Sequence, residues 1–202
     1  MYEKDIITFT IMLLGDSGVG KDTIIKIFNK NKSDDNISST IGINFSYKEI
    51  IVNKKDKIIL KLIDTAGQER YRSLTKSYFK NIDAVLFVFS LNDKDTFHTI
   101  IEWMESIKNN NIEDVPKYLI GNNKDLEINV EQRLIDEFSQ ENNIPFISVS
   151  SQENKAIDKL FEEIGKKLYL NYINKGRKKQ IYIKKFKKCL FNFYHLEKYI
   201  NY

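Results

Sequence analysis

Residues Gly15 to Thr23 read Gly-Asp-Ser-Gly-Val-Gly-Lys-Asp-Thr. Glycines let successive backbone N–H groups turn toward one point, and a lysine at the end of the run brings a point charge to it. That combination suits the oxygens of a nucleotide phosphate. The candidate phosphate ligands are Gly15, Ser17, Gly18, Val19, Gly20, Lys21, Asp22 and Thr23, with Lys21 reaching the β- and γ-phosphates. The pattern ordinarily continues with Ser or Thr, whose hydroxyl ligates Mg²⁺. Here the position holds Asp22, a hard oxygen donor that also places a negative charge beside the phosphates. At about 4 Å and an effective dielectric near 20, such a pair repels by about 4 kcal/mol. Bound Mg²⁺ would offset the repulsion, so nucleotide affinity is expected to depend strongly on the metal. Thr23 lies about 100° further round a helix and does not replace the missing hydroxyl.

The loop needs a strand before it and a helix after it, and the hydrophobic pattern supplies both. Thr8–Leu14 is an apolar run ending at Gly15, and Lys21–Lys30 has helical spacing through Ile24, Ile27 and Phe28. Residues 45–52 and 57–64 form a hairpin-like pair of strands. Ala84–Ser90 (AVLFVFS) is apolar enough for a central strand covered on both faces. A helix over 96–108, a strand over 118–121, a helix over 130–141, a strand over 145–149 and a helix over 154–171 complete the series. This alternation predicts an α/β fold, a six-stranded, mostly parallel sheet with helices on both faces. Ligands of such sheets sit beyond the carboxyl ends of the strands, which puts the chemistry in the loops after Leu14, Ile63, Ile120 and Val149.

The chain has 202 residues, 42% of them hydrophobic, enough for one sizeable domain. One cysteine excludes an intramolecular disulfide. The N-terminus shows no signal-peptide pattern, Tyr2 excludes N-myristoylation, and no apolar run approaches the roughly 20 residues of a membrane span. Charge is unevenly spread. From Lys175 onward nine basic residues face one acid, a balance of +8, so residues 1–174 carry −4 of a net +4. We therefore divide the chain into a domain over 1–174 and a basic tail over 175–202. In the tail, Tyr182, Phe186, Cys189, Phe193, Leu196 and Ile200 recur at helical spacing with lysines between them. That pattern fits a basic amphipathic helix for an anionic membrane surface, with Cys189 as a candidate acylation site. A helix packed on its own domain and a partly disordered tail are the alternatives. Nucleic acid is not an expected partner, because the body is acidic.

Further along lie Ser39-Thr40-Ile41-Gly42-Ile43-Asn44-Phe45 and Asp64-Thr65-Ala66-Gly67-Gln68-Glu69-Arg70-Tyr71. With the phosphate loop, these motifs make the chain resemble the Rab branch of the Ras superfamily over about residues 6–172. The resemblance implies a Ras-like P-loop GTPase domain, GTP/GDP cycling with Mg²⁺, slow intrinsic GTP hydrolysis and a role in vesicle and membrane traffic. By matching position, Thr40 closes on Mg²⁺ and the γ-phosphate, and Asp64 contacts the metal through water. Gly67 gives an N–H to the γ-phosphate, and Gln68 orients the attacking water. The implied catalytic set is Gln68, Lys21 and Thr40, and the implied metal set is Asp22, Thr40 and Asp64. Exchange factor, GAP and effectors would dock near Ile41–Phe45 and Gln68–Tyr78. The expected state is a cytoplasmic monomer, peripheral on the cytosolic face of endomembranes.

The resemblance also places the base site. Asn122 and Asp125 match the N-K-x-D loop, and Asp125 would accept hydrogen bonds from guanine N1 and N2, which adenine cannot offer. Ser150, Ser151 and Gln152 match the T-S-A-K loop. The chain departs from the Rab pattern at several points. Asn123 and Gln152 replace the two lysines, Ser33 stands near the position of an aromatic that packs on the base, and Asn44 replaces an Asp. Ile63 replaces the Trp that accompanies Phe45 and Tyr78 on the effector surface. No prenylatable cysteine ends the chain. Loss of the two lysines and the aromatic predicts fast nucleotide exchange, while Asp22, Asn123, Gln152 and the missing prenyl cysteine support a rival reading, a Rab-like scaffold or tethering module that binds nucleotide weakly and does not cycle.

Overall fold

A computed structural model of the chain describes residues 6–29, 44–53, 56–64, 81–109, 112, 114–150 and 154–176. The elements are β1 (Ile7–Leu14), α1 (Lys21–Asn29), β2 (Asn44–Ile51), β3 (Lys57–Asp64), β4 (Ala84–Ser90), α2 (Lys94–His98), α3 (Ile100–Asn109), β5 (Lys117–Asn122), α4 (Gln132–Glu141) and β6 (Phe146–Ser148). A last helix, α5, covers residues 154–176. The chain divides into two compact units, Met1–Gly165 and Lys166–Tyr202. In the second, the described part is the helical stretch 166–176. The basic tail beyond it lies outside the described residues. No described helix is long and apolar enough to cross a membrane.

The strands form one sheet in the order β2-β3-β1-β4-β5-β6. Only β2–β3 is antiparallel, with Phe45 opposite Ile63 and Ile51 opposite Lys57. The other pairs are parallel. A six-stranded, mostly parallel α/β sheet is what the alternation of elements predicts. After β1 the chain runs to the edge of the sheet as β2, turns back through β3 beside β1, then crosses to β4 on the other side of β1. The loop after β1 therefore leaves the sheet where its winding reverses, the place at which open sheets of this class bind ligands.

Two apolar layers fix the strands. Period-two alternation sends Met12 and Leu14 to one face, where Phe87, Phe89, Phe97, Ile100, Trp103, Ile107 and Ile135 pack with them. On the other face Phe28 of α1 meets Phe161 of α5 edge-on, with ring centroids 4.6 Å apart. A side chain at Gly165 would press on Ile58 and Leu60 of β3, at 3.2 and 3.4 Å. Lys48 of β2 is tied to Asp158 of α5 at 2.5 Å and lies 5.5 Å above the Phe28 ring. Every residue of β4 is buried, as its unbroken apolar run requires.

Most boundaries fall within two residues of the pattern. The helix expected over 96–108 is instead two helices that meet at Thr99. Asp93 caps α2 by accepting from the Asp95 N–H at 3.0 Å. Thr99 keeps helical angles, yet its hydroxyl lies 3.0 Å from the Thr96 carbonyl and 2.6 Å from Asp16 of the loop after β1. The backbone bonds carry on across the junction, from the Thr99 N–H to the Asp95 carbonyl and from the Trp103 N–H to the Thr99 carbonyl, so the apolar periodicity is unbroken and does not reveal it.

Candidate nucleotide-binding site

The loop after β1 is built from backbone, and two glycines show why. Gly15 has φ +152°, and a Cβ there would sit 2.0 Å from the Val88 carbonyl oxygen of β4. Gly20 has φ +91°, and its Cβ would sit 2.1 Å from Asn122 Nδ2. Neither position admits a side chain. Ser17 and Gly18 are exposed, whereas Val19 is fully buried. Lys21 opens α1 and is only 4% exposed. Its ammonium donates to the Gly15 carbonyl at 2.7 Å and the Asp16 carbonyl at 2.6 Å. The loop thus folds around its own lysine and holds a positive charge at the helix N-terminus. Asp22 stands exposed in the first turn of α1, where the helix dipole favours an acid. Thr23 beside it is exposed.

The end of β5 meets this loop, and the loops after β5 and β6 are joined to each other. Asn122, at the end of β5, is wholly buried and donates through Nδ2 to the Val19 carbonyl at 2.9 Å. Its Oδ1 has no hydrogen-bond partner among the described residues. A buried amide oxygen left unpaired costs free energy, which a ligand donor would relieve. Asp125, exposed, accepts from the Ser150 hydroxyl at 2.5 Å, so the loops after β5 and β6 are linked through the acid expected to read the base. Lys124 N–H donates to the Val149 carbonyl at 3.3 Å, reinforcing that link. Asp64 ends β3 opposite Leu13 of β1, beside the start of the phosphate loop. Thr40, Gly67, Gln68, Ser151 and Gln152 lie outside the described residues, as do Ser33 and Tyr78. The structure therefore brings together Gly15–Lys21, Asn122, Asp125 and Ser150.

Several contacts were not read from the sequence. Asp16 of the loop accepts from the Thr99 hydroxyl at 2.6 Å and from the Trp103 indole N–H at 3.0 Å. Asn123 takes a left-handed conformation, φ 62°, and its Nδ2 donates to the Ser90 hydroxyl at 2.7 Å. Ser90 bonds in turn to Asn92. Asn is a residue that tolerates that conformation, so it serves as both turn and strut. On the edge strand, Phe45 is 39% exposed with the Lys61 ammonium 4.2 Å above its ring. Ile63, opposite Phe45, is 4% exposed and packs with Met12 and Leu14. The residue at the effector Trp position is thus part of the core.

The arrangement joins a buried lysine at the head of α1 to a loop shaped by glycines, with a carboxylate at Asp125 across the loops after β5 and β6. Among the described residues no group of three or more His, Cys, Asp or Glu forms a cation cage. Asp22 is nonetheless a hard oxygen donor one residue from the phosphate lysine, which fits Mg²⁺ held jointly with phosphate oxygens. Fold and site together define a P-loop nucleotide-binding protein of the Ras-like α/β type.

Comparison with known proteins agrees. The model of the Ras family matches residues 10–170. Ras-related protein Rab-13 from Bos taurus is 34% identical over 164 residues, 80% of each chain. GTP-binding protein ypt1 from Schizosaccharomyces pombe is 32% identical over 155 residues, 76% of each chain. Ras-related protein Rab-1A from Dictyostelium discoideum is 34% identical over 158 residues, again 76% of each. The chain belongs to the Ras family. Within it the chain is of the Rab type, the class of small GTPases associated with membrane traffic.

Proposed function

We propose that this chain is a guanine-nucleotide switch that alternates between GTP- and GDP-bound forms and hydrolyses GTP slowly until a GAP assists. The observation that carries the reading is the junction of the phosphate and base loops. There Asn122 ties β5 to the Val19 carbonyl and keeps a buried Oδ1 with no partner among the described residues, while Ser150 holds Asp125. Lys21 neutralises charge on the β- and γ-phosphates. Thr40 closes over the γ-phosphate, the Gly67 N–H donates to it, and Gln68 orients the attacking water. Mg²⁺, when bound, withdraws charge from the phosphate oxygens, with Asp22 and Thr40 as ligands and Asp64 acting through water. Chemistry of this kind is positioning and charge stabilisation rather than covalent catalysis. Partners dock near Ile41–Phe45 and Gln68–Tyr78, and the basic tail meets an anionic membrane on the cytosolic face of endomembranes.

A second reading, a scaffold that does not cycle, draws support from Asn123, whose side chain is committed to Ser90. Purified protein, denatured and analysed by liquid chromatography, decides between them. Stoichiometric GDP is the expected result. Protein that carries no guanine nucleotide and takes up no labelled GTP overturns the switch in favour of the scaffold.

A further inference from the structure

Asp16 is an odd residue for a loop that holds phosphates, since its carboxylate brings the wrong sign of charge. Its surroundings resolve the oddity. One carboxylate oxygen accepts from the Thr99 hydroxyl at 2.6 Å, and the other accepts from the Trp103 indole N–H at 3.0 Å. Thr99 has a single proton to give. The carboxylate contact is shorter than the 3.0 Å contact to the Thr96 carbonyl and is charge-assisted, so it takes that proton. Both oxygens of Asp16 are therefore engaged by donors from the junction of α2 and α3. Trp103 is itself fixed, buried among Leu14, Phe87 and Ile107 in the main core. The backbone of the same residue meets the catalytic lysine, because the Asp16 carbonyl receives the Lys21 ammonium at 2.6 Å. The second carbonyl holding Lys21 belongs to Gly15, pinned against Val88.

We propose that Thr99 and Trp103 are positioning residues for the phosphate loop. Acting through Asp16, they fix the carbonyl that aims Lys21 at the β-phosphate. The proposal rests on the nucleotide reading and adds a residue pair to it. Neither side chain touches the phosphates. Their effect arises because a residue whose side chain is held from two directions cannot let its peptide rotate, and Lys21 is bonded to that peptide.

The test uses the full chain and two ligands. GDP engages Lys21 through its β-phosphate; GMP has none and is held by base, ribose and the first phosphate. Thr99→Val and Trp103→Phe each remove one donor to Asp16 and keep most of the packing. Either variant is expected to weaken GDP by about tenfold, equivalent to about 1.4 kcal/mol, with GMP within about twofold of wild type. Thr99→Ser keeps the hydroxyl and is expected to restore GDP binding. Ile107→Val, which trims the same core without touching Asp16, serves as the packing control and is expected to leave the GDP-to-GMP ratio unchanged. A purely structural role lowers both affinities together, or lowers only the melting temperature, and either result overturns the proposal. So does a Thr99→Ser variant as weak as Thr99→Val. If wild-type protein binds no GDP, the nucleotide reading fails and this proposal fails with it. If wild type binds GDP and both donor-deleted variants match it, this proposal alone fails.

Discussion

The two halves of the site are made of different material. The phosphate half, Gly15 to Lys21, is mostly backbone: turned peptides, two glycines packed against Val88 and Asn122, and a lysine held by carbonyls. The base half is mostly side chain: Asp125 on the Ser150 hydroxyl, Asn122 on Val19, and Asn123 on Ser90. Backbone recognition survives substitution at positions whose N–H does the binding, which is why Asp16 can sit in the loop once its charge is satisfied elsewhere. Side-chain recognition does not survive it. Asn123, for one, spends its side chain on the Ser90 hydroxyl.

The comparison breaks most visibly at Asp125. If the base half reads guanine through this carboxylate, Asp125→Ala removes two hydrogen bonds to a charged acceptor, each worth about 1.5–3 kcal/mol. The preference for GDP over ADP should fall about a thousandfold in competition binding. Reading the ratio cancels any damage from the lost Ser150 contact, since both ligands share it. A preference that stays within tenfold of wild type would remove Asp125 from the base site.

A smaller effect is expected at Asp22, the acid that follows Lys21 at the head of α1. With Asp22 present, stripping Mg²⁺ exposes a carboxylate to the phosphates; with Asp22→Ser it does not. Asp22 is exposed, so the repulsion lies nearer the roughly 1 kcal/mol of bulk water than the roughly 4 kcal/mol of a partly buried pair. Chelation by EDTA should therefore weaken GDP about tenfold more in wild type than in Asp22→Ser. Equal losses would show that Asp22 neither binds the metal nor repels the phosphates.

The same contrast explains what the sequence could reveal. A strand, Gly15-x-x-x-x-Gly20-Lys21 and a helix form a local pattern, and the buried lysine and positive-φ glycines follow from it. The buried strand Ala84–Ser90 was readable from its unbroken apolar run, and the class of sheet from the alternation of elements. The clamp on Asp16 was not readable, because Thr99 and Trp103 are 83 and 87 positions away and sit in an amphipathic stretch like any other. Two signals did exist. One was an acid inside a phosphate loop, which needs a partner, and the other was the single tryptophan of the chain. The burial of Ile63 could not be inferred from β3 alone, where apolar residues occupy both faces and only the register with β2 and β1 tells them apart.

The smallest effect is the most informative about the base half. Asn123 stands at the lysine position, where the family places a side-chain stem on the base. Its left-handed φ of 62° and its bond to Ser90 tie the loop after β5 to the end of β4. Asn123→Lys should act on binding and folding with opposite signs. A stem on the base adds about 0.5–1 kcal/mol of packing, so GDP release should slow about two- to fivefold. The fold should lose stability, because the Ser90 bond disappears and lysine in a left-handed conformation costs about 1–2 kcal/mol. The melting temperature without added nucleotide should therefore fall by a few degrees. Release kinetics of labelled GDP and a thermal scan separate the two terms. Slower release with a lower melting temperature would mean that this chain holds its base loop firmly at the expense of holding the base. Unchanged release would mean that the base half makes up for the missing stem elsewhere, and fast exchange would lose its structural basis.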